Sequence, residues 1–289
     1  MSAPNEPIFI DGPSNPPRRR WRIPRTLIVA LVAVVIWQGL IRRPTPAAHG
    51  TALHAVPDAI AYPGGDTIRV ATFNIAGGVS PVDNRYDMDR TAKYLHGFDF
   101  IGLEEVHGAA VLDWRDEAQI LGETLHLPWL FAPSETRWWH DSFGNGALSD
   151  LPVVGWQRLP LSSSISQSNR TMLRVIVTWH NRPVNGIVTH LDRHEDHDIE
   201  LGAIIAAFMN SPTPVILMGD LNTDQTDAQL SALRRDDSVT DALAVGLAGN
   251  VPTTNDWIFA RGLRCVAAGL SDNDASDHKL CWAELGEEK

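Results

Sequence analysis

Cysteine is scarce in this chain, with only Cys265 and Cys281 among 289 residues. Two are too few for a disulfide framework, and their spacing fits no zinc site. A bond between them requires that the two late strands carrying them be neighbours. Two buried free thiols are the alternative. No internal repeat is visible, which argues against a solenoid or an array. Basic charge is also lacking where a globular body can form. Seven of the 24 Lys and Arg residues, but only two of the 35 Asp and Glu residues, precede residue 45. The remainder carries 17 basic against 33 acidic side chains. A basic face is the usual footprint of phosphate-backbone binding, so this balance disfavours a tight nucleic-acid binder and leaves room only for a local patch. Long hydrophobic runs are few. Residues 26–41 form a charge-free apolar stretch that would be about 24 Å long as a helix. A full membrane span needs about 30 Å, or about 20 residues.

What is present begins with that N-terminal stretch. Residues 1–25 are rich in Pro, Asn, Ser and Arg, a composition that predicts a disordered cytoplasmic tail. Ile23 and flanking Arg and Trp side chains that reach the interface can lengthen the apolar run. An arginine cluster before such a run is a targeting pattern. Five arginines precede it and Arg42 and Arg43 follow. The positive-inside rule then puts the N-terminus in the cytoplasm and the rest outside. The expectation is a single-pass membrane anchor over residues 26–43. With no clean Ala-x-Ala site, an uncleaved anchor is favoured over a secreted form. Residues 44–66, rich in Pro, Gly and Ala, read as a linker. Residues 67–289 are the folded domain, and 44% hydrophobic content suffices for a large core.

Residues 215–218 are an apolar run directly after Pro214, patterned as a strand buried on both faces. The run closes in Gly219-Asp220-Leu221-Asn222, and at i, i+2 spacing the two polar side chains point the same way. Gly219 leaves the backbone room. A plain turn is the competing reading. Residues 67–73 alternate and are β-branched, a strand ending at Asn74. Residues 87–96 read as a helix with an acidic cap. Residues 98–106 form a strand that ends in Glu104-Glu105. A carboxylate on a core strand is costly unless paired or metal-bound, and Mg²⁺ favours one or two carboxylates with water and substrate phosphate.

Further on, Glu117–Leu125 is helical. An aromatic-rich stretch containing Trp138 and Trp139, which suit core packing or a substrate-contacting rim, leads into Phe143-Gly144-Asn145-Gly146-Ala147-Leu148-Ser149. Residues 172–179 and 183–189 alternate as a hairpin joined at Asn181-Arg182, ending in Thr189-His190-Leu191-Asp192. The acids of residues 192–198 invite a metal reading, but they suit the positive end of a helix better. Leu201, Ile204, Ile205 and Phe208 give that helix one buried face. Residues 226–236 read as another helix. Asn255-Asp256-Trp257-Ile258-Phe259 is a strand, and Ser276-Asp277-His278 precedes the last one.

Each motif alone is weak. In this order, over residues 73–278, they resemble the motifs of the endonuclease/exonuclease/phosphatase superfamily, the DNase I-like fold. The resemblance implies a two-sheet, four-layer α/β/β/α sandwich with its site at one sheet edge. It implies a Mg²⁺-dependent phosphoric ester hydrolase, with Mn²⁺ or Ca²⁺ as alternatives. Glu105 would be the main metal ligand, joined by Asp277 and Asn74. Asn74 and Asn145 would contact the phosphate. Asp220 would position or deprotonate water, with Asn222 fixing its geometry. Asp256 would orient His278, and His278 and His190 would donate to the phosphate. The chain departs from the pattern at Ala76, where some relatives have Asp, at Glu104 in place of Gln, and at Asp150 in place of Arg or Lys, a change that bears on substrate choice. The substrate class stays open between phosphomonoester and phosphodiester. A surface or secreted nuclease and a sphingomyelinase-like or lipid-linked phosphate hydrolase are both alternatives. A non-catalytic module on the same fold would be expected to lose one of Glu105, Asp220, Asp256 or His278, and none is lost. The partners expected are a phosphate-ester substrate and the membrane, with the chain a monomer.

Overall fold

A computed structural model describes residues 24–59, 62, 64–109, 114–137, 140–161 and 169–288. The tail and the Trp138-Trp139 pair lie outside these residues, except for the tail's last two. The chain divides into two compact units, Met1–Leu40 and Ile41–Lys289.

The first unit contains α1 (Arg25–Leu40), 16 residues, with Thr26 and Gln38 its only uncharged polar side chains. The Pro24 carbonyl receives the first backbone hydrogen bonds, from Leu27 and Ile28. Among the described residues no helix is long and apolar enough to cross a membrane. The anchor expected over residues 26–43 is therefore not found as a full span, because the helix stops at Leu40 and Arg43 already belongs to a strand.

The second unit runs in the order β1 (Arg43–Pro44), β2 (Ala48–Gly50), β3 (Thr67–Asn74), a 3-10 turn (Ala76–Gly78), α2 (Met88–Leu95), β4 (Phe100–His107), α3 (Glu117–Leu125), β5 (Trp129–Arg137), β6 (His140–Ser149) and β7 (Val153–Pro160). It continues with β8 (Thr171–Trp179), β9 (Arg182–His190), α4 (His197–Asn210), β10 (Val215–Asp220), α5 (Ala228–Arg234), β11 (Thr240–Asp241), α6 (Ala242–Gly246), β12 (Asp256–Arg261), β13 (Leu263–Ser271) and β14 (Leu280–Glu287). Two seven-stranded sheets result, ordered β1-β5-β6-β4-β3-β14-β13 and β11-β12-β10-β9-β8-β7-β2. Each contains one parallel pair, β3 with β4 and β9 with β10.

The inner faces of the sheets share one apolar cluster, including Ile68, Val70 and Phe100 from the first and Leu173, Ile187 and Leu217 from the second. Gly186 has no side chain because a Cβ there would strike the Phe100 ring of the facing sheet. A second cluster lies under α2 and α3, where Met88, Ala92, Leu121 and Leu125 cover Phe73 and Leu103. Leu201, Ile204 and Phe208 of α4 are buried with the first cluster, and Ile205 packs partly against it. Asp87 caps α2 and Asp116 caps α3, each accepting a backbone N–H three residues on.

Three local readings change. The stretch read as a linker contributes an edge strand to each sheet, with β1 pairing with β5 and β2 with β7. Thr45 between them is buried and its N–H bonds the Ser134 carbonyl. Two or three residues are too few to show alternation, and edge strands tolerate proline. The β8–β9 turn is His180-Asn181 rather than Asn181-Arg182. Both residues are left-handed, φ 48° and 60°, which suits the twist of a two-residue hairpin. The cysteines do lie on neighbouring strands, but Cys265 faces Leu285 and Cys281 faces Leu270. An offset of four residues is about 13 Å along a strand, beyond disulfide reach. Both are free thiols.

Asp150 is likewise displaced from its expected role in substrate choice. Because β6 runs antiparallel to β4, Phe143 pairs with His107 and Ser149 with Phe100. Asp150 follows at the pole opposite Glu105. There it lines a cavity of about 390 Å³ with Asp99, Arg69 and Tyr62. Burial, then the charge of Asp99, pushes its carboxyl up to about 7. The folded state thus holds a proton that the unfolded chain releases near 3.8. Stability from this group is full below about 4 and is lost as pH rises to about 7. Asp150→Asn is expected to flatten that dependence. At pH 8 it should raise the melting temperature by about 2–4 °C, allowing for half exposure. Thermal melts at pH 5 and pH 8 check this; equal shifts at both would count against it.

Candidate active site

The two parallel pairs end on the same side of the sandwich, and polar side chains gather there. Ligand crevices in open α/β sheets form beyond such carboxyl strand ends. In the second sheet His190, Asp220 and Asp256 occupy one rung across β9, β10 and β12. In the first sheet Asn74 ends β3 opposite Glu104 of β4. Gly219, just before Asp220, has φ 150°, and a Cβ there would collide with the Thr189 carbonyl oxygen. The close approach of β10 to β9 at this rung needs glycine.

Asp220 is fully buried. Its Oδ1 accepts the Asn222 backbone N–H at 2.9 Å. Its Oδ2 accepts from Asn74 Nδ2 at 3.0 Å and faces His190 Nε2 at 3.4 Å and His278 Nε2 at 3.8 Å. A carboxylate removed from water survives by such partners. His278 Nδ1 donates to Asp256 Oδ2 at 2.9 Å. Burial alone would lower the His278 pKa. The Asp256 hydrogen bond and charge, with Asp220 and Asp277, outweigh it and push it up to about 9. Burial also raises the Asp256 carboxyl, against the His278 bond that lowers it. At neutral pH the pair is an imidazolium on a carboxylate. His190, 3% exposed, is moved the other way. Burial first, then the charge of Arg170, holds it well below the ordinary histidine range, as a neutral ring.

Glu105 stands on a register shift between Leu103 and Val106. Its backbone is left-handed, φ 56°, costly for a residue with a side chain and most often found at functional sites. The extra residue turns its carboxylate to Asn74 Nδ2 at 3.1 Å. Glu104 points into the protein, fully buried, and accepts from the Thr72 hydroxyl at 2.7 Å. Burial lifts its carboxyl well above the usual range, so it is a neutral acid where the resembled pattern has a neutral amide. At Ala76 the backbone N–H donates to Asn74 Oδ1 at 3.1 Å, fixing that amide.

The remaining expected residues are placed less directly. Asn222 lies beyond the end of β10, left-handed at φ 49°. It does not project beside Asp220 as i, i+2 strand spacing implies. Its backbone N–H holds Asp220, while its side chain donates to the Leu191 carbonyl at 2.8 Å. Asn145 is buried and donates to the Thr171 carbonyl at 2.9 Å. Asp277 is exposed beside His278. The acids of residues 192–198 form no metal cluster among the described residues. Asp196 instead precedes α4, and Glu200 Oε2 accepts the Asp192 N–H.

Two residues were missed. The Ser276 hydroxyl donates to the Asn74 carbonyl at 2.6 Å and accepts the His278 N–H at 3.1 Å, tying the His278 loop to β3. Arg170 lies 3.1 Å from His190 Nδ1 and over the Phe143 ring. Counting pairs back from the observed His180-Asn181 turn puts Thr171 opposite His190, with Arg170 beside it; the turn expected at Asn181-Arg182 would have put Leu173 there.

Among the described residues Asp220, Asp256 and His278 bring ligand atoms within 4.8 Å of one another. The His278–Asp256 bond and the positive ring make this group an acid pair with a neighbouring carboxylate rather than a Mg²⁺ cage. Hard cations take oxygen ligands and keep water. The half-buried Glu105, with Asp277 at the exposed rim, fits that donor set.

The family model described as Endonuclease/Exonuclease/phosphatase family matches residues 71–278. No curated protein matches the chain. The fold is similar to an endonuclease/exonuclease/phosphatase from Beutenbergia cavernae DSM 12333, with TM-score 0.63 and 23% identity over 77% of this chain and 72% of that one. It is similar to D. rerio TDP2 complexed with single strand DNA product, with TM-score 0.58 and 14% identity over 77% and 100%. It is also similar to sphingomyelinase C from Streptomyces griseocarneus, with TM-score 0.53 and 16% identity over 76% and 99%. At such identities these likenesses establish the two-sheet fold.

Two substitutions probe the geometry. Gly219→Ala is expected to destabilise the domain by about 2 kcal/mol or more, read by denaturant unfolding. Asp256→Asn removes the largest of the influences that outweigh burial at His278. In an NMR titration the ring should titrate well below about 9; an unmoved value would refute the pairing.

Proposed function

The chain belongs to the endonuclease/exonuclease/phosphatase family, and from that premise we propose that it hydrolyses a phosphate ester with the help of a divalent metal. The observation that carries this reading is the fully buried Asp220, with His190 Nε2 at 3.4 Å and His278 Nε2 at 3.8 Å from its Oδ2. Asp220 accepts the proton of a water attacking phosphorus. His278, positive and held by Asp256, donates to a phosphoryl oxygen and can protonate the departing oxygen. His190 supplies a neutral N–H donor where negative charge grows, while Asn74 spends its amide N–H groups on holding Asp220 and Glu105. Glu105 and Asp277 would hold Mg²⁺, or Mn²⁺ or Ca²⁺, which offsets charge on a phosphate oxygen.

For the substrate, the excess of acidic side chains after residue 44 disfavours a long polyanion. We favour a small or lipid-linked phosphate ester over a nucleic acid. The sphingomyelinase likeness agrees with this in fold alone. A panel of phosphate mono- and diesters, lipid head groups and DNA, each with Mg²⁺, Mn²⁺ and Ca²⁺, decides it. His278→Ala and Asp220→Ala should each lower turnover by about 10²–10³ or more with the fold retained. Glu105→Gln should lose activity that added metal partly restores. Wild-type turnover by His278→Ala on every ester the parent cleaves would sink the assignment.

The arginine asymmetry supports display outside the cytoplasmic membrane. Because α1 is short, an anchor requires Ile23 and interfacial side chains as well. Protease added to intact cells should degrade the domain, and full protection would reverse the proposed topology.

A further inference from the structure

We propose that Arg170 is a positioning residue that locks His190 as its Nε2–H tautomer, making this ring a fixed hydrogen-bond donor beside Asp220. The proposal rests on the phosphoesterase reading for its consequence, but not for its geometry.

A guanidinium carries five N–H donors and no acceptor. One of its terminal nitrogens is 3.1 Å from His190 Nδ1. A proton on Nδ1 would face an N–H, so Nδ1 presents its lone pair. A neutral imidazole then carries its proton on Nε2, and an imidazolium is excluded by the same contact. The hairpin register sets the placement, since Thr171 on β8 pairs across from the row of His190 on β9 and Arg170 immediately precedes it. The guanidinium is retained by the Phe143 ring, 5.8 Å from its carbon, and by the charges of Glu200 and Asp192. Phe143 also flanks His190, ring centroids 6.1 Å apart.

On the other side of the ring, Nε2 is buried and, among the described residues, has no closer partner than Asp220 Oδ2 at 3.4 Å, too long for a strong bond. A buried N–H without a full partner is ready for an acceptor that enters the site. A phosphoryl oxygen beside Asp220 supplies that acceptor. His190 therefore has no lone pair facing the site and cannot take the water's proton, which leaves that role to Asp220. Arg170 acts through His190, without touching the reacting atoms.

The test uses the full-length chain with ring-¹⁵N histidine. Histidine ¹H–¹⁵N spectra distinguish the two tautomers and the imidazolium, and His190→Asn assigns the signal. The wild type should show Nε2–H at His190 without substrate. Arg170→Ala should abolish the single tautomer and lower kcat by about 10²-fold with KM little changed. Arg170→Lys, also donor-only, should restore the tautomer and part of kcat. Nδ1–H or imidazolium in the wild type overturns the proposal, even if Arg170→Ala does not fold. So does a fall in kcat in Arg170→Ala with the tautomer intact, which would mean that Arg170 acts on the substrate directly. If the parent cleaves no phosphate ester, the phosphoesterase reading fails, while the tautomer measurement still judges the Arg170–His190 pairing.

Discussion

One carboxylate, Asp220, sets the terms for the rest of the site. It has no exposed surface, and isolating such a charge from water is expensive. Its stabilisation is assembled from both sheets. Asn74 reaches it from β3, His190 from β9, His278 from the loop before β14, and the Asn222 backbone from its own chain. Each donor is in turn fixed by something else: Asn74 by Ala76, His278 by Asp256 and Ser276, His190 by Arg170. The sandwich needs two sheets at this spot because neither sheet alone supplies enough donors.

The same constraint explains where backbone strain is spent. Glu105 and Asn222 are left-handed although they have side chains. Gly219 holds a conformation that admits no Cβ. All three adjoin Asp220 or the strand that faces it. Such strain persists only where surrounding packing over-determines the conformation. Here the buried residues Phe100–Glu104 of β4 and the fully buried β10 do so.

Much of this was legible in the sequence. The buried strand before Gly219, the acidic caps of α2 and α3, and the alternating β8 and β9 follow from apolar periodicity and turn chemistry. So does the placing of Asn74, Glu105, Asp220 and His278 at or near strand ends. What was not legible depends on pairing between distant segments. Residues 43–50 have no pattern of their own and become strands only because β5 and β7 offer open edges. Asp150 was expected to bear on substrate choice because it stands where the resembled pattern has Arg or Lys. A strand rises about 3.3 Å per residue, and the antiparallel direction of β6 takes it to the far pole. Cys265 and Cys281 share a strand pair, yet register, not adjacency, decides whether sulfurs meet. The Glu105 bulge was hidden because one extra residue leaves composition unchanged while redirecting the Glu105 side chain.

That redirection bears directly on the chemistry. Without the extra residue, strand alternation would keep Glu104 on the face of Phe100 and turn Glu105 to the helix-covered face of Ile101 and Leu103. The bulge separates two adjacent carboxyl groups into two environments. Glu104 becomes a neutral acid bonded to Thr72, and Glu105 a half-buried carboxylate at the rim. The two histidines are divided by the same means, one beside a carboxylate and one beside a guanidinium. Each pair of like residues is driven apart by what stands next to it. The site therefore presents to an incoming phosphate a cation at His278, a neutral donor at His190, and a carboxylate at Asp220 between them. Exchanging the neighbours, and not the histidines themselves, is what would exchange their roles.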